Sequence, residues 1–307
     1  MKNIENAAIV GMGALGLLFG QMIAENIGSE HLCFVMNSER RKRHSSDIYE
    51  INGKEVSYRM LCPEEVGTKT GLIIIATKYS GLREAAALIR PLVGEDTTIV
   101  SLLNGISSEE ILAESYPADQ IIDTVAIGMD AVRDGAKLTY KNTGKWQIGI
   151  RSEGQKERFE NLTAFLDRAK IPYEVCADIR HAMWKKFMMN DGINQTCMVY
   201  ETDYAGALRE GEEPFEKMKK VMHEVIDISA AEGINLTEED FEAALALFRT
   251  LNPVGYPSMR QDAMAGRRTE VELFAGEVLR IAKRHGIPVP ANQEYYERIL
   301  EMEREYS

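Results

Sequence analysis

Apolar and polar positions follow two different rhythms along this chain, and the change falls a little past its middle. In the first part, short apolar runs recur: "AAIV" from Ala7, "HLCFVM" from His31, "GLIIIAT" from Gly71, "TTIVSLL" from Thr97 and "IIDTVAIGM" from Ile121. Helical or loop stretches such as "GLREAAALIRPLVG" separate them. Short apolar runs bounded by turn residues read as buried strands, and strands alternating with helices predict a parallel, doubly wound α/β sheet of the Rossmann type. The stretch 137–150, "KLTYKNTGKWQIGI", predicts an antiparallel hairpin closing that domain.

From Ile179 onward only helical patterns follow. "EEPFEKMKKVMHEVIDISAAEG" starts with Pro214, carries Phe215, Met218, Met222 and Val225 on one face, and ends at Gly233. "LTEEDFEAALALF" opens with Thr237 and Asp240 in a capping arrangement. Farther on, Ser258 with Gln261 and Thr269 with Glu272 have capping-box spacing. Gly266 separates two helical pieces, and Gly276 suggests close approach of another backbone. The expectation is a Rossmann domain over residues 1–178 and an all-helical domain over residues 179–307.

Composition narrows the class. A chain of 307 residues, 45% hydrophobic and 27% charged, with no low-complexity tract, is that of a soluble globular protein of about two domains. Its formal charge of −12 argues against nucleic-acid or anionic-membrane partners, which need a basic surface. Cys33, Cys62, Cys176 and Cys197 form no C-x-x-C pair, so neither a metal site nor a disulfide framework is expected, and a reducing cytoplasm fits best. "AAIVGMGALGLLFG" lacks the basic flank of a signal peptide.

That stretch has a chemical reading instead. Gly11, Gly13 and Gly16 form G-x-G-x-x-G between the first strand and first helix, the context in which the motif binds a dinucleotide. Gly11 allows the tight turn, Gly13 lets the backbone approach a pyrophosphate, and Gly16 lets helix and strand pack closely. The whole loop of Gly11, Met12, Gly13, Ala14, Leu15 and Gly16 is expected to hold phosphates on the helix N-terminus. For NAD, the second strand would end in an acidic residue that bonds the ribose 2′-OH. Here it ends in Asn37, followed by Ser38, Arg40 and Arg41, which favours the 2′-phosphate of NADP(H). Glu39 dissents and keeps NAD open.

Ligands in open α/β sheets bind beyond the carboxyl ends of the strands, where Lys78 of "ATKY" and Asn104 of "LLNG" fall. Lys78 also reads as a surface residue and Asn104 as part of a turn; near a nicotinamide, both could contact cofactor or substrate. In "WKKFMMNDGIN", Lys186, Asn190 and Asn194 recur every fourth residue and share one helix face, while Met183, Phe187 and Met188 read as buried. Taken alone, that polar stripe reads as a solvated face.

Together these segments resemble the ketopantoate reductases (2-dehydropantoate 2-reductases). The resemblance runs through "VGMGALG", "ATKY", "LLNG", "WKKFMMNDGIN", "SMRQDAMAGRRTEVE" and "HGIPVPAN", nearly the whole chain. The family pattern W-x-K-[LF]-x-x-N-x-x-x-N places its catalytic lysine on Lys186 and its substrate-binding asparagine on Asn190. S-M-x-Q-D and G-R-x-T-E place the carboxylate-binding serine on Ser258 and the active-site glutamate on Glu270. The resemblance implies an NADPH-binding N-terminal domain, a helical C-terminal domain and a 2-keto acid substrate in the cleft between them. It further implies that Lys186 donates to the carbonyl oxygen as hydride reaches the keto carbon. Glu270 then bonds the substrate and helps hold the lysine, and Asn104, Asn190 and Ser258, with Asn194, position the acid. Two departures bear on the substrate: Tyr204 falls where pantothenate-pathway enzymes carry an asparagine, and "TEVE" replaces their "TEID". Another 2-keto acid on the same scaffold, a 3-hydroxyacid or opine dehydrogenase, and a non-catalytic NADPH sensor are the alternatives. A homodimer is compatible with the sequence without being determined by it.

Overall fold

The computed structural model describes residues 2–44 and 46–306. The chain divides into two compact units, one holding the chain up to Leu103 with Ser108–Ile179, the other Asn104–Ser107 with the chain from Arg180 onward.

The first unit is built on a parallel sheet. In chain order its strands are β1 (Ala7–Val10), β2 (Leu32–Val35), β3 (Tyr49–Ile51), β4 (Lys54–Val56), β5 (Met60–Leu61), β6 (Leu72–Ile75), β7 (Thr98–Ser101), β8 (Asp123–Met129), β9 (Val132–Asp134), β10 (Lys137–Thr139), β11 (Thr143–Gly149) and β12 (Tyr173–Val175). The main sheet runs β5-β2-β1-β6-β7, all parallel, with Ile9 aligned on Phe34 and Ile74. Both faces are covered, which is why these strands read as unbroken apolar runs rather than alternating ones. Ala7 and Ile9 join one core cluster and Ala8 and Val10 the other, as a period of two requires. Helix α1 (Ala14–Asn26) covers one face, burying Leu17, Leu18, Phe19 and Ile23. Helices α2 (Ser38–His44), α3 (Leu82–Leu88), α4 (Ser108–Ala113) and α5 (Lys156–Ala169) complete the unit.

The hairpin expected over 137–150 does not form. β10 pairs with β9 and, in parallel, with β3, whereas β11 pairs with β8 and β12 in a separate sheet. Trp146 explains the split: it is fully buried, its ring edge-on to Phe19 of α1 at 5.1 Å. Packing that indole on α1 outweighs a local hairpin whose tip would bury little.

The second unit is helical among the described residues: α6 (Ile179–Val199), α7 (Tyr204–Ala207), α8 (Glu213–Ala231), α9 (Glu238–Phe248), α10 (Ser258–Met264), α11 (Ala275–His285) and α12 (Pro290–Glu303). Met183, Trp184, Phe187 and Met188 of α6 are buried. Gly192 brings α6 against α8 so closely that an added Cβ would lie 2.8 Å from Met222 Sδ. Thr237 caps α9 in a box with Asp240, and Gly233 stands past the end of α8 with φ +72°. The other two boxes are absent. Ser258 turns away to donate to Asn194 Oδ1, and Thr269 donates from both its backbone N–H and its hydroxyl to Glu303 Oε1. Gln261 and Glu272 instead bond the Tyr256 carbonyl and the Tyr296 hydroxyl. A spacing of three residues permits a box, but a partner of higher charge or deeper burial takes the hydroxyl when the fold brings one near. At Gly276 the tightest neighbour is not a backbone but the Glu272 carboxylate, 2.7 Å from where a Cβ would sit.

Candidate functional site

In the first unit the glycine loop forms where β1 ends. Gly11 takes φ +110°, a conformation that favours glycine, and a Cβ there would run into the Ala76 carbonyl at the end of β6. A Cβ on Gly16 would strike the Gly11 carbonyl, so α1 can start this close to β1 only with glycine at that position. Gly13 is different: the nearest atom to its absent Cβ is Ala76 O at 3.8 Å, which leaves room above the loop. The first-turn N–H groups of α1, from Ala14, Leu15 and Gly16, have no partners within the helix, and no acidic residue stands in that turn. A cradle of this shape and polarity fits a dinucleotide pyrophosphate. Met12, in the middle of the loop, is held by Arg133, which donates to its carbonyl, and by the Tyr49 hydroxyl, 3.7 Å from its sulfur. Neither contact follows from sequence spacing, because β9 and β3 reach the loop only through the small second sheet.

Beyond β2, Asn37 Oδ1 accepts from the Arg40 backbone N–H at 2.8 Å, and its Nδ2 donates to Glu84 Oε1 at 2.9 Å. Arg40 is exposed. Arg41 forms an ion pair with Glu65, and Arg43 is 3.3 Å from Glu39 on the next turn. The basic cluster predicted from the sequence is therefore interleaved with carboxylates from elements remote in the chain. Glu39 leans away along α2 toward Arg43, while Glu65 and Glu84 approach it. Lys78 is exposed just past β6.

The second unit gathers the remaining residues. Its short segment Asn104–Ser107 comes from the end of β7, and Gly105, at φ +86°, packs against Leu273, with an added Cβ 3.1 Å from the leucine methyl. That turn presents the Asn104 amide to two partners. Lys186 Nζ donates to Asn104 Oδ1 at 3.0 Å, and Asn104 Nδ2 points at Glu270 Oε2 at 3.4 Å. Lys186 is half-buried. Loss of water around its ammonium pulls its pKa down to about 8, with the Glu270 carboxylate opposing the shift.

Asn190 and Asn194 follow one and two turns along α6, with Asn194 Nδ2 3.4 Å from Asn190 Oδ1; Asn194 Oδ1 in turn accepts from Ser258 Oγ at 3.2 Å and from Met259 N–H at 3.4 Å. The helical stripe is thus the spine of a polar row. At one end Lys186 reaches Asn104 and Glu270, and at the other Asn194 reaches the start of α10. Such a row can present an ammonium, amides, a hydroxyl and a carboxylate to a small polar acid. The Tyr204 ring packs on Gly255, and burial pushes its phenol up to about 12.

A glycine cradle on a parallel sheet, together with a lysine held between an asparagine and a glutamate, defines an oxidoreductase that uses a nicotinamide cofactor. Two family models match the chain, Ketopantoate reductase PanE/ApbA over residues 7–153 and Ketopantoate reductase PanE/ApbA C terminal over residues 178–303. The chain belongs to the ketopantoate reductase family, whose members act on CH–OH groups. The 2-dehydropantoate 2-reductase of Halobacterium salinarum is 28% identical over 292 residues, covering 92% of this chain and 93% of that one. The enzyme of the same name from Streptococcus pyogenes is 24% identical over 290 residues, covering 92% of each. Among solved structures, a D-mandelate dehydrogenase with NADH and anilino(oxo)acetate superposes with a TM-score of 0.85 at 23% identity, over 98% of this chain and 99% of that one. At that identity the likeness establishes the fold.

Proposed function

We propose that the protein reduces 2-dehydropantoate (ketopantoate) to pantoate with NADPH, the step that supplies pantoate for pantothenate, in the cytoplasm. The observation that carries this reading is the Lys186–Asn104–Glu270 cluster joined along α6 to Asn190, Asn194 and Ser258. The first unit holds the dinucleotide on the Gly11–Gly16 loop, with Asn37, Arg40 and Arg41 toward the adenosine end and Lys78 as a further cofactor contact. A bound nicotinamide supplies the hydride. Lys186 Nζ stabilises the developing alkoxide and delivers its proton, and Asn104 and Glu270 aim that ammonium. Ser258, with the first-turn N–H groups of α10 other than that of Met259, takes the substrate carboxylate. Asn190 and Asn194 fix the rest of the acid, so that the ketone is held in a reactive orientation.

The proton step has a testable pH dependence. Reduction needs Lys186 charged, so kcat/KM falls as pH rises through about 8, where the buried ammonium is lost. In Glu270→Gln the carboxylate that opposes this shift is gone, and the falling limb moves to lower pH. A wild-type profile flat through this range removes Lys186 from the proton-donor role.

Cofactor choice follows from Asn37, Arg40 and Arg41. Charge-assisted bonds to a phosphate contribute roughly 1.5 to 3 kcal/mol each, so NADPH is expected to exceed NADH at least ~10-fold in kcat/KM. Arg40→Ala with Arg41→Ala abolishes the preference. A second reading is favoured by one observation: Arg41 is already paired with Glu65 and Asn37 with Glu84, which sets carboxylates where a 2′-phosphate would lie. In that reading the cofactor is NADH and the substrate a bulkier 2-keto acid; the D-mandelate dehydrogenase is seen with NADH and anilino(oxo)acetate. The ratio of the two cofactors decides between them.

A further inference from the structure

About 100° round α6 from the polar row lies a second set of polar groups that the reaction does not use. Asp191, Gln195 and Thr196 are fully buried, against Glu224 of α8 and Asn292 and Tyr295 of α12. Most of their hydrogen bonds are accounted for. Gln195 Nε2 donates to Asp191 Oδ1 at 2.8 Å and to the Asp191 carbonyl at 3.0 Å. Asn292 Nδ2 donates to Glu224 Oε2 at 2.9 Å and to the Val221 carbonyl at 3.2 Å, and Tyr295 pairs with Thr196 at 3.0 Å. The Glu224 carboxylate also accepts the Ala291 and Asn292 backbone N–H groups, capping α12.

Two buried atoms are left without a donor, Asp191 Oδ2 and Asn292 Oδ1, and both are acceptors. Flipping the Asn292 amide cannot help, since its oxygen would then face the Val221 carbonyl and the Glu224 carboxylate. A proton on Asp191 Oδ2 turns that acceptor into a donor, and the Asn292 side chain is a hydrogen-bonding neighbour of the same carboxyl.

We propose that Asp191 is a neutral carboxylic acid in the folded protein, donating from Oδ2 to Asn292 Oδ1, and that through Gln195 it is a positioning residue for Glu270. The surroundings agree. Burial first, and then the charge of Glu224, push the Asp191 carboxyl well above the usual carboxylate range, and together they outweigh the hydrogen bond with the Asn292 side chain, which acts the other way. The link to the site runs through one side chain. Gln195 Oε1 accepts the Ala275 N–H at 3.3 Å, at the start of α11. The turn just before it, Val271–Leu273, begins at Glu270 and packs Leu273 against Gly105, the neighbour of Asn104. A neutral Asp191 therefore anchors, from another face of α6, the segment that carries Glu270. The positioning half of this proposal rests on the reductase reading; the protonation half does not.

Asp191→Asn keeps an acceptor for Gln195 and a donor for Asn292, whereas Asp191→Ala keeps neither. Because the folded-state pKa is raised, wild-type stability is lost as pH rises above the unfolded carboxyl value of about 3.9 toward the folded one. The gap in Tm between Asp191→Asn and wild type is therefore expected to widen from pH 5 to pH 8. An infrared difference spectrum of wild type minus Asp191→Asn at pH 7 is expected to show a protonated-carboxyl band, other acids cancelling. A carboxylate band instead, from an ionised Asp191 bridged by water, or parallel Tm profiles, overturns the protonation. For the positioning, amide exchange across 271–275 is expected to quicken in Asp191→Ala and to stay at the wild-type rate in Asp191→Asn. In the same pair kcat falls about tenfold or more in Asp191→Ala and is retained within about twofold in Asp191→Asn, as loss of alignment at a reacting centre predicts. Wild-type exchange in both variants overturns it. Failure of wild type to reduce any 2-keto acid would instead count against the reductase reading, leaving the infrared and exchange results to stand by themselves.

Discussion

Lys186→Ala is expected to lower kcat at least ~10²-fold while NADPH still binds, the low end of what a positioned general acid contributes. The size follows from the setting. The ammonium is half-buried and donates to Asn104, so its charge acts in a low-dielectric surrounding where it is worth more than in water. Steady-state kinetics give the first half of the prediction, and titration of cofactor fluorescence gives the second. Lys186→Arg is expected to recover little, because a planar guanidinium cannot occupy the place of a compact ammonium between an amide and a carboxylate. A fully active Lys186→Ala would return the α6 stripe to a polar face with no chemistry.

The largest effect is expected in substrate choice. Ketopantoate carries a distal hydroxyl and ketoisovalerate does not, although both share the branched carbon. In the proposed reading Asn190, Asn194 and Glu270 receive that hydroxyl, and Asn194 is almost wholly buried. A site built around such a hydroxyl rejects the analogue that lacks it by up to ~10⁴ in kcat/KM, because its own polar groups are left unpaired. Comparing the two acids with NADPH measures this directly. Preference for ketoisovalerate or for a longer acid would keep the reductase chemistry and discard the pantoate assignment. Tyr204, half-buried and standing where pantothenate-pathway relatives are expected to carry an asparagine, is the first residue to vary in that event.

Some of this protein was legible in the order of its residues because the information is local. An apolar run buried on both faces looks the same wherever it lies in a sheet, so β1, β2, β6 and β7 were foreseeable. Gly11 and Gly16 are demanded by backbone collisions within a few residues of the turn and with the end of a neighbouring strand, so the motif carries its own reason. Four-residue spacing alone placed Lys186, Asn190 and Asn194 on one face. Helix ends were less secure. Thr237 capped as its spacing predicts, but Ser258 and Thr269 were drawn off to Asn194 and Glu303, partners far away in the chain.

Long-range pairing decided the rest. Whether the α6 stripe faces water or packs against other polar groups depended on Asn104 and Glu270, respectively 82 and 84 positions away, reaching the same ammonium's surroundings. The basic cluster after β2 looked free in sequence, and only the fold brought Glu65 and Glu84 against Arg41 and Asn37. The hairpin over 137–150 was lost because Trp146 buries itself against Phe19, a contact that local alternation does not encode. Asp191, one residue from Asn190, is not set apart by the sequence, since neighbours on a helix point about 100° apart and spacing does not say which side is core. Sequence periodicity specifies which residues share a face, whereas the free energy of a charge depends on what the remaining chain packs against that face, and that is a property of the tertiary structure alone.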